Sequence, residues 1–241
     1  MGSTRLPGKI LKTIHGRTLL RIHVERILKS RKIDKLVIAT TTDMADDLTE
    51  AEALRMQIDF YRGSVENVLD RFYQAAKKYE PQWVVRLTAD CPLLDSVLLD
   101  AIVAMAIEKD VDYCSNTLAP SFPDGMDVEV FKYSALQRAW KEAKLYSEKE
   151  HVTPYIHRNS SFNRKDLFTS CNFDSGVDYG NVRLTVDGQS DLEVITRLIE
   201  KLGIDKDWKS YADYYLSDKE ISAMNASVKR NEGYTDSVSK D

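Results

Sequence analysis

At 241 residues, with 43% hydrophobic, 30% charged and 9% aromatic positions, the chain is long enough to bury a sizeable core as one domain and is neither disordered nor fibrous. The net charge of -4, from 34 Lys and Arg against 38 Asp and Glu, excludes a sequence-independent grip on nucleic acid and points to a small-molecule partner. Cys91, Cys114 and Cys171 lie far apart with no second ligand-spaced Cys or His, which predicts neither disulfide framework nor zinc site. A reducing cytoplasm is the expected location. No apolar run approaches the roughly 20 residues of a membrane helix, so no membrane partner is expected.

The first periodic segment, 17–33, places Leu20, Val24, Ile27 and Leu28 on one side of a helix. It runs into Lys35-Leu36-Val37-Ile38-Ala39-Thr40-Thr41-Thr42, a β-branched stretch apolar on both faces, as in a strand between helix layers. Asp43 and Asp46 are candidate caps for a helix ending near Gln57. Strand 58–61, helix 65–79, strand 82–87, helix 95–108 and strand 111–116 follow. Beyond Pro120 the spacing predicts a strand over 127–131 and helices over 133–144 and 147–157, the second containing Pro154. A strand over 182–186 and a helix over 190–202 complete the pattern. We divide the chain into a main domain, 1–208, and an extension, 209–241, whose polar end from 227 is expected to be mobile unless a partner holds it. Alternating strands and helices with short loops predict an α/β fold with a mostly parallel sheet, in which ligands gather at the carboxyl ends of strands.

The loops after strands therefore carry the candidate chemistry. Gly2-Ser3-Thr4-Arg5-Leu6-Pro7-Gly8-Lys9 combines turn formers with two cations, suited to wrapping polyphosphate, although its spacing is not that of a Walker A loop. In Arg86-Leu87-Thr88-Ala89-Asp90-Cys91-Pro92, the Asp90 carboxylate stands just past a buried strand, and Asp187 stands likewise after Arg183-Leu184-Thr185-Val186. Two such carboxylates can converge on one Mg2+ ion; either alone is as well explained as a turn or cap residue. Asp124-Gly125-Met126-Asp127-Val128-Glu129 clusters three carboxylates, which repel unless a cation or a hydroxyl-rich ligand lies among them. Sugar binding, a second metal site and a solvated edge all satisfy that pattern. Glu150-His151-Val152-Thr153-Pro154 holds the best-placed histidine, and Arg62-Gly63-Ser64 opens a helix where backbone N–H groups can read a base edge or a phosphate, or Ser64 can simply cap.

In order along the chain, these segments resemble the cytidylyltransferase family of CMP-sialic acid and CMP-Kdo synthetases, and most closely its spore coat polysaccharide branch. The resemblance runs from Gly2 to about Leu202 and rests on residues 2–9, 39–42, 62–64 with 68–71, 86–93, 124–129, 150–154 and 183–187. Arg-Asn-Glu-Gly-Tyr at 230–234 also looks like a tail motif of that branch. The resemblance implies a three-layer, Rossmann-like nucleotide-diphospho-sugar transferase fold that commonly pairs into homodimers. It implies transfer of CMP from CTP to a sugar or sugar acid, with pyrophosphate leaving and Mg2+ as cofactor.

Carried over by position, Arg5 and Lys9 in the loop opened by Gly2 and Ser3 would neutralise the triphosphate, and Asp90 with Asp187 would hold Mg2+. Lys9, Asp90 and Asp187 form the implied catalytic set. Thr40, Thr41, Arg62, Ser64, Arg86 and Thr88 complete the implied nucleotide side; Asp124, Asp127, Glu129, Glu150, His151 and Arg183 form the implied acceptor side. In the family the glycine loop follows a short apolar strand ending in Ala-Arg, whereas Met1 stands directly at the loop here. The expectation is therefore a sheet lacking its first strand, with the natural start upstream. Two other functions fit the residues: a catalytically silent nucleotide-binding protein, and a metal-dependent glycosyltransferase with Asp127-Val128-Glu129 as its acidic motif.

Overall fold

The computed structural model describes residues 5–241, so Gly2 and Ser3 lie outside the described residues. The chain opens with a hairpin of β1 (Thr13–Ile14) and β2 (Arg17–Thr18), antiparallel to each other. His15 and Gly16, both at positive φ, form its turn. This hairpin consumes the start of the helix expected over 17–33. Helix α1 (Leu19–Ile27) begins only after Thr18, whose side-chain oxygen accepts from the Arg21 N–H.

Two open strands pair in parallel, β3 (Val37–Thr41) with β4 (Asp59–Gly63), and α2 (Asp47–Met56) connects them. Helix α3 (Val68–Lys77) leads to β5 (Trp83–Arg86), and α4 (Ser96–Lys109) leads to β6 (Tyr113–Ser115). With β7 (Glu129–Lys132) and β8 (Ser170–Asn172) these build a four-stranded sheet in the order β5-β7-β6-β8. Strand β7 runs antiparallel to both neighbours, so the sheet is mixed, because the return through Asp124 and Gly125 brings β7 back between β5 and β6. Among the described residues β3 pairs only with β4, and β5 only with β7, which leaves the sheet in two pieces.

The single helix expected over 147–157 is two: α6 (Tyr146–His151) and α7 (Pro154–Arg158), with α5 (Tyr133–Glu142) before them. Pro154 has no N–H to continue the ladder and sits at the start of α7, while Val152 takes φ 72° at the break. The stretch 182–186 is extended, but it makes a bridge rather than a full strand. The Asp124 N–H donates to Val182 O at 2.9 Å, Leu184 N–H to Asp124 O at 2.6 Å, and Val186 N–H to Asp90 O at 2.8 Å. Its backbone is thus shared between two loops. Val182, Leu184 and Val186 are fully buried in the main core, which they enter with α4 and with Val194, Ile195 and Leu198 of α8 (Gln189–Leu202).

Helices α9 (Trp208–Ser217) and α10 (Lys219–Asn225) pack back on this core through Tyr211, Ala212, Tyr215 and Ile221. A last helix, α11 (Glu232–Val238), lies against α6, so the segment expected to be free unless held is held by the chain itself. No helix among the described residues is long and apolar enough to cross a membrane.

Candidate active site

The Lys9 ammonium lies between two carboxylates, 2.7 Å from Asp90 Oδ2 and 2.8 Å from Asp187 Oδ1. Residues 90 and 187 are far apart in sequence, and they meet because the Val186 N–H bonds the Asp90 carbonyl and aligns the two chain segments. Burial works against the Lys9 ammonium, but Asp90 and Asp187 outweigh it and raise its pKa. Burial likewise works against both carboxylates, and Lys9 holds each below the usual carboxylate range. Arg5 adds a second cation, 3.1 Å from Asp187 Oδ1.

Arg183 anchors the other side of Asp187. Its Nη2 is 2.7 Å from Asp187 Oδ2, its Nη1 2.6 Å from Asp124 Oδ2 and its Nε 2.9 Å from Asp191 Oδ1, with the side chain only 7% exposed. Asp191 also caps α8 by accepting from the Asp187 and Gly188 N–H groups, and Asn225 of α10 donates to it. Gly125 makes the close approach of the Asp124 loop possible. At φ 105°, a Cβ there would lie 2.6 Å from the Leu184 carbonyl carbon and 2.7 Å from the Thr185 nitrogen.

The remaining acceptor-side residues divide by partner. Glu129 is committed: Arg86 pairs with one oxygen, while Tyr113 and Thr153 donate hydroxyl hydrogens to the other. Asp127 sits between Asp124 and Glu129, and burial together with those two carboxylates pushes its pKa up to about 6 against the pull of Arg230 and Arg86. The Arg230 Nη2 reaches Asp127 Oδ1 at 2.5 Å. Burial also raises Asp124, opposed by Arg230 and Arg183. Glu150 and His151 both bond the Ser237 hydroxyl, at 2.9 Å for His151 Nε2, and burial lowers the His151 pKa.

On the nucleotide side, Thr88 lies beside Asp90 and 3.2 Å from the Cys91 sulfur, and Arg86 is turned toward Glu129. Thr40 and Thr41 both donate to Asp46 Oδ2, and Arg62 donates to the Thr41 and Asp43 carbonyls while pairing with Asp47 and Glu50. Ser64 accepts from the Asn67 N–H ahead of α3. Among the described residues, Thr40, Thr41 and Arg62 are tied together through the segment 43–50. Sequence reasoning gives no site role to Asp46, Asp191, Arg230, Glu232 or Ser237; Asp46 figures there only as a candidate helix cap. The motif at 230–234 was the one available signal for Arg230 and Glu232; Asp191 reads only as the acid of a helix-capping box.

Among the described residues no group of three or more His, Cys, Asp or Glu gathers as a metal cage. The pair Asp90 and Asp187 nevertheless fits Mg2+, which takes hard oxygen ligands and is commonly bound by one or two carboxylates with substrate phosphates completing its shell. Both carboxylates already face a single cation, the Lys9 ammonium.

The family model described as cytidylyltransferase matches residues 1–221. The chain is 35% identical over 208 residues to the spore coat polysaccharide biosynthesis protein SpsF of Bacillus subtilis, covering 84% of each. It superposes on a cytidylyltransferase from Leptospira borgpetersenii with a TM-score of 0.87 at 31% identity, covering 95% of each chain. The fold is also that of a CMP:2-keto-3-deoxy-manno-octonic acid synthetase complexed with CTP, at a TM-score of 0.59 and 15% identity over 83% of this chain and 95% of that one. By its sequence over most of its length and by its α/β architecture, this chain belongs to the cytidylyltransferase family.

Proposed function

We propose that the chain transfers CMP from CTP to a hydroxyl of a sugar or sugar acid, with release of pyrophosphate, in surface polysaccharide or glycan biosynthesis. The observation that carries this reading is the placement of Lys9 between Asp90 and Asp187, with Arg5 on the outer side of Asp187. Support comes from family membership, from the polysaccharide role in the name of the Bacillus relative and from the CTP in the octonic acid synthetase complex.

The acceptor oxygen attacks the α-phosphorus as the bond to the pyrophosphate oxygen breaks, and negative charge accumulates on the departing group. Lys9 and Arg5 would bind that charge electrostatically, and no covalent intermediate on a side chain is required. Asp90 and Asp187 would hold Mg2+, whose chemistry there is neutralisation of phosphate oxygens. Arg183 acts at one remove, fixing Asp187 and Asp124 relative to each other. Thr40, Thr41, Arg62 and Ser64 frame the base side, with Thr88 steadying Asp90. Arg86 serves through Glu129, holding that carboxylate on the acceptor wall. Asp124, Asp127, Glu129, Glu150 and His151 would meet the acceptor, and its hydroxyl proton passes to a carboxylate, to His151 or to water. Two copies of the chain are proposed to pair as a homodimer, which sedimentation at micromolar concentration reads directly.

Pyrophosphate release, screened over nucleotides and a panel of sugars and sugar acids, tests the reading. The expected result is release from CTP with at least one acceptor. CTP bound without release across the panel would leave a nucleotide-binding protein. Consumption of a nucleotide sugar in place of CTP would indicate a glycosyltransferase, against which Glu129 already argues, since Arg86, Tyr113 and Thr153 occupy it.

A further inference from the structure

Strands β6 and β8 run parallel in a register that sets Cys114 opposite Cys171, residues 57 positions apart along the chain. Neighbouring strands stand about 4.8 Å apart, inside the roughly 4.4–6.8 Å that a disulfide spans between its Cα atoms. The two sulfurs are 3.0 Å apart. That register is held on both sides of the pair. Before it, the Asp112 N–H donates to the Thr169 carbonyl, and Asp112 Oδ2 accepts from the Thr169 N–H and hydroxyl. After it, the Phe173 N–H donates to the Ser115 carbonyl, and Asn172 Oδ1 accepts from the Ala119 N–H. The thiols therefore meet because the sheet is built that way, and not through two loose side chains.

The three thiols are free but unlike. Cys91 is buried, and burial beside Asp90 pushes its pKa well up, which keeps it a thiol. Cys114 is buried and Cys171 half-buried. Hydrogen bonding between the two sulfurs lowers the Cys171 pKa, helped by the Lys109 charge and opposed by burial. The same contact, with burial, raises that of Cys114. Cys171 is thus suited to attack as a thiolate, with Cys114 beside it to resolve. We propose that Cys114 and Cys171 form a dithiol that closes reversibly to a disulfide by exchange with a low-molecular-weight disulfide such as glutathione disulfide, stapling the outer strand β8 to β6. The Cys171 sulfur bonds one sulfur of glutathione disulfide and releases the other as a glutathione thiolate. Cys114 then gives up its proton, bonds the Cys171 sulfur and displaces the second glutathione. The chain loses two electrons and two protons, and glutathione disulfide takes both up as two molecules of glutathione. The step draws on none of the residues assigned to nucleotide transfer, so it stands apart from the transferase reading.

The test equilibrates the folded full chain with glutathione disulfide and glutathione at several ratios, traps free thiols with N-ethylmaleimide in acidic denaturant and reads the peptides by mass spectrometry. As the disulfide share rises, the wild type should lose two of its three reactive thiols together and gain a peptide linking residues 114 and 171. Cys91 should stay free, and dithiothreitol should restore all three thiols. Cys114→Ser should retain glutathione on Cys171, the intermediate that no second thiol resolves, while Cys171→Ser should show neither linkage nor adduct. Oxidised wild type should also melt above its reduced form, with no such shift in Cys171→Ser. Three free thiols under glutathione disulfide alone, a lasting glutathione adduct on wild-type Cys171 without the linkage, a disulfide that includes Cys91, or an oxidised form that melts no higher would each overturn the proposal.

Discussion

The Val186 N–H donates to the Asp90 carbonyl at 2.8 Å, and this one backbone bond registers the segments whose carboxylates close on Lys9. The site is consequently built on the backbone of two buried extended segments, and disturbing their seating should be felt both in stability and in turnover.

Gly125→Ala should be costly. At φ 105° an L side chain is strained, and the added Cβ would press on Leu184 and Thr185 backbone atoms that cannot swing aside. Strain of this kind amounts to about 1–3 kcal/mol before the overlap is counted, so the denaturation midpoint should fall by several degrees. A midpoint unchanged from the wild type would show that the Asp124 loop does not depend on this approach.

Arg183→Leu removes the cation shared by Asp124, Asp187 and Asp191 and leaves three largely buried carboxylates facing one another. Removing one partner of a buried ion pair costs roughly 3–5 kcal/mol, and here the chain should lose most of its folded population. Arg183→Lys, which restores charge without the fork, should recover part of the stability in urea titrations while leaving turnover impaired. Full recovery of both by lysine would mean that charge alone matters.

The pH dependence of stability has a specific sign at Asp127. Its folded pKa of about 6 lies above the ordinary carboxylate value of about 3.9, so the folded chain binds more protons than the unfolded one between those values. The stability from this group is present below pH about 4 and is lost as pH rises to about 6. Asp124 and Glu129 press it in that direction, while Arg230 and Arg86 oppose. Asp127→Asn should therefore gain on the wild type as pH climbs across that interval, measured by urea unfolding at several pH values. A constant difference between the two proteins would remove the assignment.

Most of the fold could be read from hydrophobic period and turn chemistry, and where the reading failed the reasons are local. The helix expected from residue 17 starts at Leu19, because a positive-φ turn at His15 and Gly16 folds Arg17 and Thr18 into a hairpin. Strand β8, only three residues long and partly exposed, carries too short a pattern to stand out. The pairing of Asp90 with Asp187 was suggested by their shared setting after apolar segments. Lys9 as the bridge between them was not, since a salt bridge over so long a sequence separation leaves no local trace. The polar composition after residue 227 leads to the expectation of a segment mobile unless held, whereas Arg230 meets Asp127, Glu232 meets Arg5, and Ser237 meets Glu150 and His151. Composition does not distinguish the two cases.

The central claim is that the two carboxylates around Lys9 form the reactive centre for transfer from CTP. It is tested most directly by pyrophosphate release from CTP, Mg2+ and an accepted sugar in Asp90→Asn, a change that keeps size and removes charge. Loss of at least a hundredfold in turnover with the thermal midpoint within a few degrees of wild type is the predicted result. Wild-type turnover in the folded variant would contradict it.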